Sequence, residues 1–133
     1  MLAQNFLTAK ALGITEVEVE ALIKVLGMLE RREITKRFVM HTTISETPCG
    51  TVACICGWAH IASNGKAFPE ASIHNCGNAF HARLSPEAID LFGYNCAPEI
   101  LRNRTDTQAA SALRNYLTLG EARWAEVLSA PVT

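Results

Sequence analysis

Thr15-Glu-Val-Glu-Val-Glu-Ala-Leu-Ile-Lys-Val-Leu-Gly-Met-Leu-Glu-Arg-Arg32 is the stretch whose reading decides the fold. It opens with capping-box spacing: a threonine hydroxyl positioned for a free helical N–H, and Glu18 positioned to reach back to the cap. Val19, Leu22, Ile23, Leu26 and Leu29 or Glu30 then recur at intervals of three and four. That is one buried stripe, and Glu16, Glu20, Lys24 and Arg31 fall outside it. The spacing predicts an amphipathic helix running to about Arg32.

The same signals recur outward from this helix. Thr105-Asp-Thr-Gln108 is a second capping box, opening a helix with the stripe Ala109, Ala112, Leu113, Tyr116 and Leu117 and an end at Gly120. Ser85-Pro-Glu-Ala supplies a cap, a first-turn proline and an early carboxylate for a helix ending at Gly93. Leu2 to Leu12 is a short apolar segment closed by Gly13. Glu121 to Leu128 has room for two turns with Trp124 and Leu128 facing in, and a short helix is expected after Cys96-Ala-Pro98.

After the break at Pro48-Cys-Gly50, Thr51 to Ala62 is apolar almost throughout and reads as a buried central helix from about Val52. Phe38 to Ile44 is β-branched and aromatic but has no evident pairing partner, so it reads as an extended connector or minor strand. Lys66 to Leu84, rich in Gly, Asn, His and Pro, reads as a long loop with a helical turn at Ala79 to Arg83. The expected fold is all-α: a compact single-domain bundle of about five or six helices with a central apolar helix and one long loop.

Composition bounds the function. A chain of 133 residues buries roughly two-thirds of its unfolded surface and needs no disulfides to fold. An apolar share of 49% against 19% charged excludes a disordered chain, and leaves apolar surplus available to cover a partner. Twelve basic and thirteen acidic residues give a net charge of -1, which disfavours nucleic acid as a partner. No apolar run approaches the roughly 20 residues of a membrane span. The opening residues have no signal-peptide pattern, and five cysteines without an export signal fit reduced thiols in a bacterial-type cytoplasm.

Chemistry concentrates in Cys49-Gly-Thr-Val-Ala-Cys-Ile-Cys-Gly-Trp-Ala-His60. This group joins a turn to a helix N-terminus, whose free N–H groups and dipole lower a nearby thiol pKa and make Cys49 the candidate nucleophile. Cys54, on a face with Trp58 and Ile61, reads as a small core group. Cys56 and His60 are four apart, and Cys49 lies a further double turn back along the same stripe. Together with Cys76, or His74 or His81, they form a candidate zinc ligand set. His41 reads as a surface or hydrogen-bonded histidine. Gly57 is expected to admit a close helix approach, and Trp58 and Trp124 to anchor the core with satisfied N–H groups. Arg102, Arg104 and Arg114 read as a solvated face offset by Glu99, Asp106 and Glu121.

Phe38-Val-Met40 followed by Cys49-Gly-Thr-Val-Ala-Cys54-Ile-Cys-Gly57-Trp-Ala59 resembles a pattern in small uncharacterised bacterial and phage proteins, Phe-x-Met then Cys-Gly-Thr-x-x-Cys-x-x-Gly-x-Ala. The likeness runs on through Thr105 to Leu113, Gly120 and Trp124, and implies no particular activity. More loosely, Cys49-Gly-Thr-Val-Ala-Cys54 is similar to the nucleophile turn of bacteriocin-leader cysteine peptidases, with one residue more between the cysteines. That similarity implies Cys49 as nucleophile and His81 as its base. The leading expectation is a non-enzymatic binding or regulatory module that engages a protein partner or a second copy and needs no cofactor. The alternatives are a zinc-binding domain through Cys49, Cys56, His60 and a loop ligand such as Cys76, and a thiol enzyme.

Overall fold

The computed structural model describes residues 6–40, 44–47, 50–67, 85–92, 101 and 103–129, with backbone alone at 44–47 and 50–52. Among these residues the protein is mostly helical. The elements are α1 (Ala9–Leu12), α2 (Glu16–Glu30), a 3-10 turn (Thr35–Arg37), β1 (Ile44–Thr47), β2 (Gly50–Ala53), α3 (Ile55–Ala62), α4 (Pro86–Phe92), α5 (Asp106–Leu119) and α6 (Trp124–Ser129). None of the described helices is long and apolar enough to cross a membrane. The loop beyond Ala67, its turn at Ala79 to Arg83, and the helix expected after Pro98 lie outside the described residues.

The two long helices form where their caps and stripes require. Thr15 Oγ1 accepts from the Glu18 N–H at 3.1 Å and Glu18 Oε1 accepts from the Thr15 N–H at 2.9 Å. Thr105 and Gln108 make the same reciprocal pair at 3.1 and 2.9 Å. In α2, Val19, Leu22, Leu26 and Leu29 are buried together with Val25, while Ile23 lies at the edge. All five stripe residues expected of α5 are buried. Gly120 closes α5 at φ +89°, its N–H donating to Tyr116 O at 2.9 Å. A left-handed backbone there is cheap only for glycine.

These two helices run in opposite directions against each other. Arg114 and Asp106 of α5 pair with Glu30 and Arg32 at the end of α2. At the other end, the Leu7 N–H donates to Leu117 O, and Tyr116 Oη donates to Leu12 O. α3 also packs on α2, and α4 and α6 pack on α5. One core cluster results, in which Leu22, Val25, Leu113 and Leu117 are wholly buried. Each such side chain stabilises the fold by roughly 1.5–3 kcal/mol relative to exposure.

Three expectations are corrected. The central helix begins at Ile55, not Val52, because residues 50–53 pair antiparallel with β1 in the register Ile44↔Ala53 to Thr47↔Gly50. Phe38 bridges Ala53 as well, with the Val39 N–H donating to Ala53 O at 3.0 Å. Phe38 and Ile44, the two ends of the run expected to be extended, thus both meet Ala53, a residue assigned from sequence to a helix. Second, Leu128 is 42% exposed, and Val127 packs on the core in its place. Third, Ile61 is 37% exposed and does not share the buried face of Cys54 and Trp58.

Candidate functional site

The sequence points first to α3. Its N-cap is Cys54, in extended conformation with no side-chain cap bond, and Ile55, Cys56, Gly57, Trp58 and Ala59 are buried. β2 intervenes between Cys49 and α3, so Cys49 is not at a helix start and does not continue a helical stripe through Cys56 and His60. The free N–H groups and dipole of α3 begin at Cys54 instead. Cys49, Cys76, His41, His74 and His81 themselves lie outside the described residues.

Cys54 and Cys56 are 2% and 0% exposed, so both serve as small core groups. His60, one turn after Cys56, is half-buried, with a buried Nδ1 that has no hydrogen-bond partner among the described residues. Its ring lies against Gly65, where a Cβ would stand 3.6 Å from Cε1. The His60 carbonyl accepts from the Gly65 N–H at 2.8 Å and from Ser63 Oγ at 3.0 Å, which closes the helix. Among the described residues no three His, Cys, Asp or Glu side chains gather closely enough to hold a metal. Cys56 and His60 therefore supply at most two ligands of a site.

Both tryptophans anchor the core as expected. Trp58 Nε1 donates to Arg37 O at 3.3 Å, with the Arg37 guanidinium 5.2 Å from its ring. Trp124 Nε1 donates to Asp90 O at 2.9 Å, and the Arg104 guanidinium lies 4.1 Å above that ring. Arg104 is buried, so it does not belong to a solvated face; its charge is stacked on an aromatic surface instead.

The described surface holds a second feature that the sequence did not single out. A groove of about 370 Å³ lies between the end of α2 and the first three turns of α5. Leu29 and Ala110, both nearly buried, form its floor. Thr107 and Ser111 are exposed one turn apart on α5, and Arg114 follows on the same side. Arg114 forks onto Glu30, with Nε to Oε2 at 3.0 Å and Nη2 to Oε1 at 2.9 Å, and both side chains are 35% exposed.

At the far end stands Arg32, whose Nε is 3.1 Å from Asp106 Oδ2 and donates to Thr35 Oγ1 at 3.1 Å. Arg32 takes φ +59°, a left-handed conformation that turns the chain sharply out of α2. Asp106 is only 7% exposed, and it also accepts from Thr35 Oγ1 at 2.7 Å and the Thr107 N–H at 2.9 Å. The groove thus places two guanidiniums, two hydroxyls and one carboxylate around a small apolar floor. Such a surface has the groups to orient a polar ligand: hydroxyls at Thr107 and Ser111 and guanidiniums at Arg32 and Arg114. Comparison of the chain with family models, with curated proteins and with solved structures gives no match.

Proposed function

We propose that the chain is a non-enzymatic binding module of a bacterial-type cytoplasm, and that the groove between α2 and α5 is where it meets a protein partner. The observation that carries this reading is the groove itself: a small apolar floor rimmed by two arginines, Arg114 in a two-point pair with Glu30 and the more exposed Arg32 beside Asp106. Preorganised arginines around a desolvated centre are the composition that protein interfaces favour. The described cysteines support it too, because Cys54 and Cys56 are committed to the core.

Ser111→Trp tests this at an exposed helix position by filling the groove without touching the floor. Wild-type protein should capture a stoichiometric partner, or self-associate in sedimentation. The variant should lose that complex while its thermal midpoint stays within about 2 °C, the shift expected for a surface change near 0.5 kcal/mol. Equal capture by both proteins, or no complex with either, would refute the reading.

One observation favours a second reading, a zinc site: the buried Nδ1 of His60, without a hydrogen-bond partner among the described residues, one turn from Cys56. Cys49 and Cys76 are the remaining proposed ligands. Near-stoichiometric zinc in untagged protein purified without chelator, lost on His60→Ala, supports this reading. A folded, metal-free protein removes it.

A further inference from the structure

We infer that Asn64-Gly65 is a latent site of covalent modification, held closed by the turn that ends α3. An asparagine followed by glycine cyclises readily in an open chain, because no Cβ shields the glycine nitrogen and its backbone is free to rotate. That nitrogen gives up its proton to solvent and bonds to the asparagine Cγ. The Cγ–Nδ2 bond breaks, and the side-chain amide takes a proton from solvent and leaves as ammonia. Water then opens the cyclic imide. Cleavage at the side-chain carbonyl yields aspartate, and cleavage at the main-chain carbonyl yields isoaspartate. Water is the one reagent consumed, and nothing is oxidised or reduced.

The folded turn leaves the electrophile in water but withholds the nucleophile. Asn64 is exposed at φ +58°, and Gly65 follows at φ +84°. Two successive left-handed residues turn the chain back on α3, and the Gly65 N–H donates to His60 O at 2.8 Å. A nitrogen whose proton is held there is neither deprotonated nor free to turn toward its neighbour's side chain. The rest of the turn keeps it in place. The Asn64 N–H donates to Ile61 O at 3.1 Å, and Ser63 Oγ accepts from the Lys66 and Ala67 N–H groups at 3.1 and 2.6 Å. The His60 ring covers one side of Gly65, with Cε1 3.6 Å from where a Cβ would stand. Cyclisation therefore proceeds from the opened turn, at the open-chain rate multiplied by the open fraction.

Either product works against reclosure. A new carboxylate stands beside the last carbonyls of α3, at the negative end of its dipole. Isoaspartate also lengthens the main chain by a methylene, which shifts the Gly65 N–H out of register with the His60 carbonyl. Opening of α3 is thus recorded in one direction.

The test follows conversion of Asn64 amide to acid by mass-spectrometric peptide mapping of the full folded chain, incubated at neutral pH. The reference is a synthetic peptide spanning Ala62-Ser-Asn-Gly-Lys-Ala67 in the same buffer. The folded chain should react slower by roughly tenfold or more, the factor for a turn open less than about a tenth of the time. Ser63→Ala removes the acceptor for two N–H groups of the turn without altering Asn64 or Gly65, and should raise the rate severalfold. Thr105→Ala, which weakens the cap of another helix, should leave it unchanged.

Equal rates in the folded chain and the peptide overturn the inference, and this comparison decides even if Ser63→Ala fails to fold. An unchanged rate in folded Ser63→Ala overturns it as well. A rise with Thr105→Ala equal to that with Ser63→Ala assigns protection to global stability and removes the turn from the account.

Discussion

Replacing Asp106 by alanine removes the acceptor that joins the end of α2 to the start of α5. Its carboxylate takes hydrogen bonds from Thr35 Oγ1 and the Thr107 N–H and sits 3.1 Å from Arg32 Nε. The three contacts are unequal. Arg32 is 62% exposed, so its guanidinium recovers hydration and its pairing is worth at most about 0.5 kcal/mol. The Thr107 N–H is a free helix-start donor next to an acid in the first turn, and losing both effects costs about 1 kcal/mol. Thr35 lies in a part-buried contact, and losing its bond to a charged acceptor adds about 1 kcal/mol, since its hydroxyl keeps the Arg32 carbonyl at 3.2 Å. Asp106→Ala should therefore cost about 2 kcal/mol, Asp106→Asn about half as much, and Arg32→Ala no more than about 0.5 kcal/mol. Urea unfolding with linear extrapolation measures all three on one scale. If Arg32→Ala proves as costly as Asp106→Ala, the ion pair rather than the buried hydrogen bonds holds the junction, and the reasoning from exposure is wrong.

Two glycines should respond to alanine with opposite signs in the same assay. Gly120→Ala forces a side chain into φ +89° and should destabilise by about 1 kcal/mol, because its Cβ meets only an ordinary 3.6 Å contact with Leu7 and the cost is backbone strain. Gly27→Ala should stabilise by about 0.5–1 kcal/mol through helix propensity; the one close atom, Arg31 Nη1 at 2.9 Å, ends a flexible exposed side chain that moves aside. Thr105→Ala should cost about 1 kcal/mol, with amide exchange rising first in the opening turn of α5. Burial, with smaller contributions from Glu18 and Glu87, pushes the Tyr116 phenol upward from 10.0. A raised folded value favours the neutral phenol, so this contribution is fully present below about pH 10 and is lost as pH rises beyond it. Tyr116→Phe should flatten the alkaline decline in urea midpoint, and an unchanged decline would assign it to other groups.

The fold was legible wherever a local signal is sufficient. Two capping boxes and two apolar stripes placed α2 and α5, because a cap and a helical period are each satisfied within a few residues. The hairpin was not legible, for two physical reasons. Its second strand runs without a polar break into α3, so Thr51 to Ala62 reads as one apolar element. The boundary falls at Cys54, whose thiol makes no capping bond, so the usual Ser, Thr, Asp or Asn marker of a helix start is missing. With β2 hidden inside a helix assignment, the run from Phe38 to Ile44 had nothing to pair with.

The same distinction between near and far partners explains the sites. Cys56 and His60 stood out because a spacing of four is visible in sequence, yet spacing does not reveal that Cys56 is wholly buried. Arg114 was balanced in sequence against Asp106 and Glu121, its neighbours along the chain, but its carboxylate is Glu30, 84 positions away on another helix. Asp106 in turn reaches back 71 positions to Thr35. The groove exists because α2 ends just where α5 begins, and no local pattern encodes that meeting. What sequence does carry is the consequence of it: Thr107, Ser111 and Arg114 continue the helical period of α5 as a polar line beside the apolar stripe of Ala109, Ala112, Leu113, Tyr116 and Leu117. A polar line at helical spacing beside an apolar one is the solvated face of any amphipathic helix, so Thr107, Ser111 and Arg114 acquire meaning only where α2 brings Glu30 and Arg32 beside them.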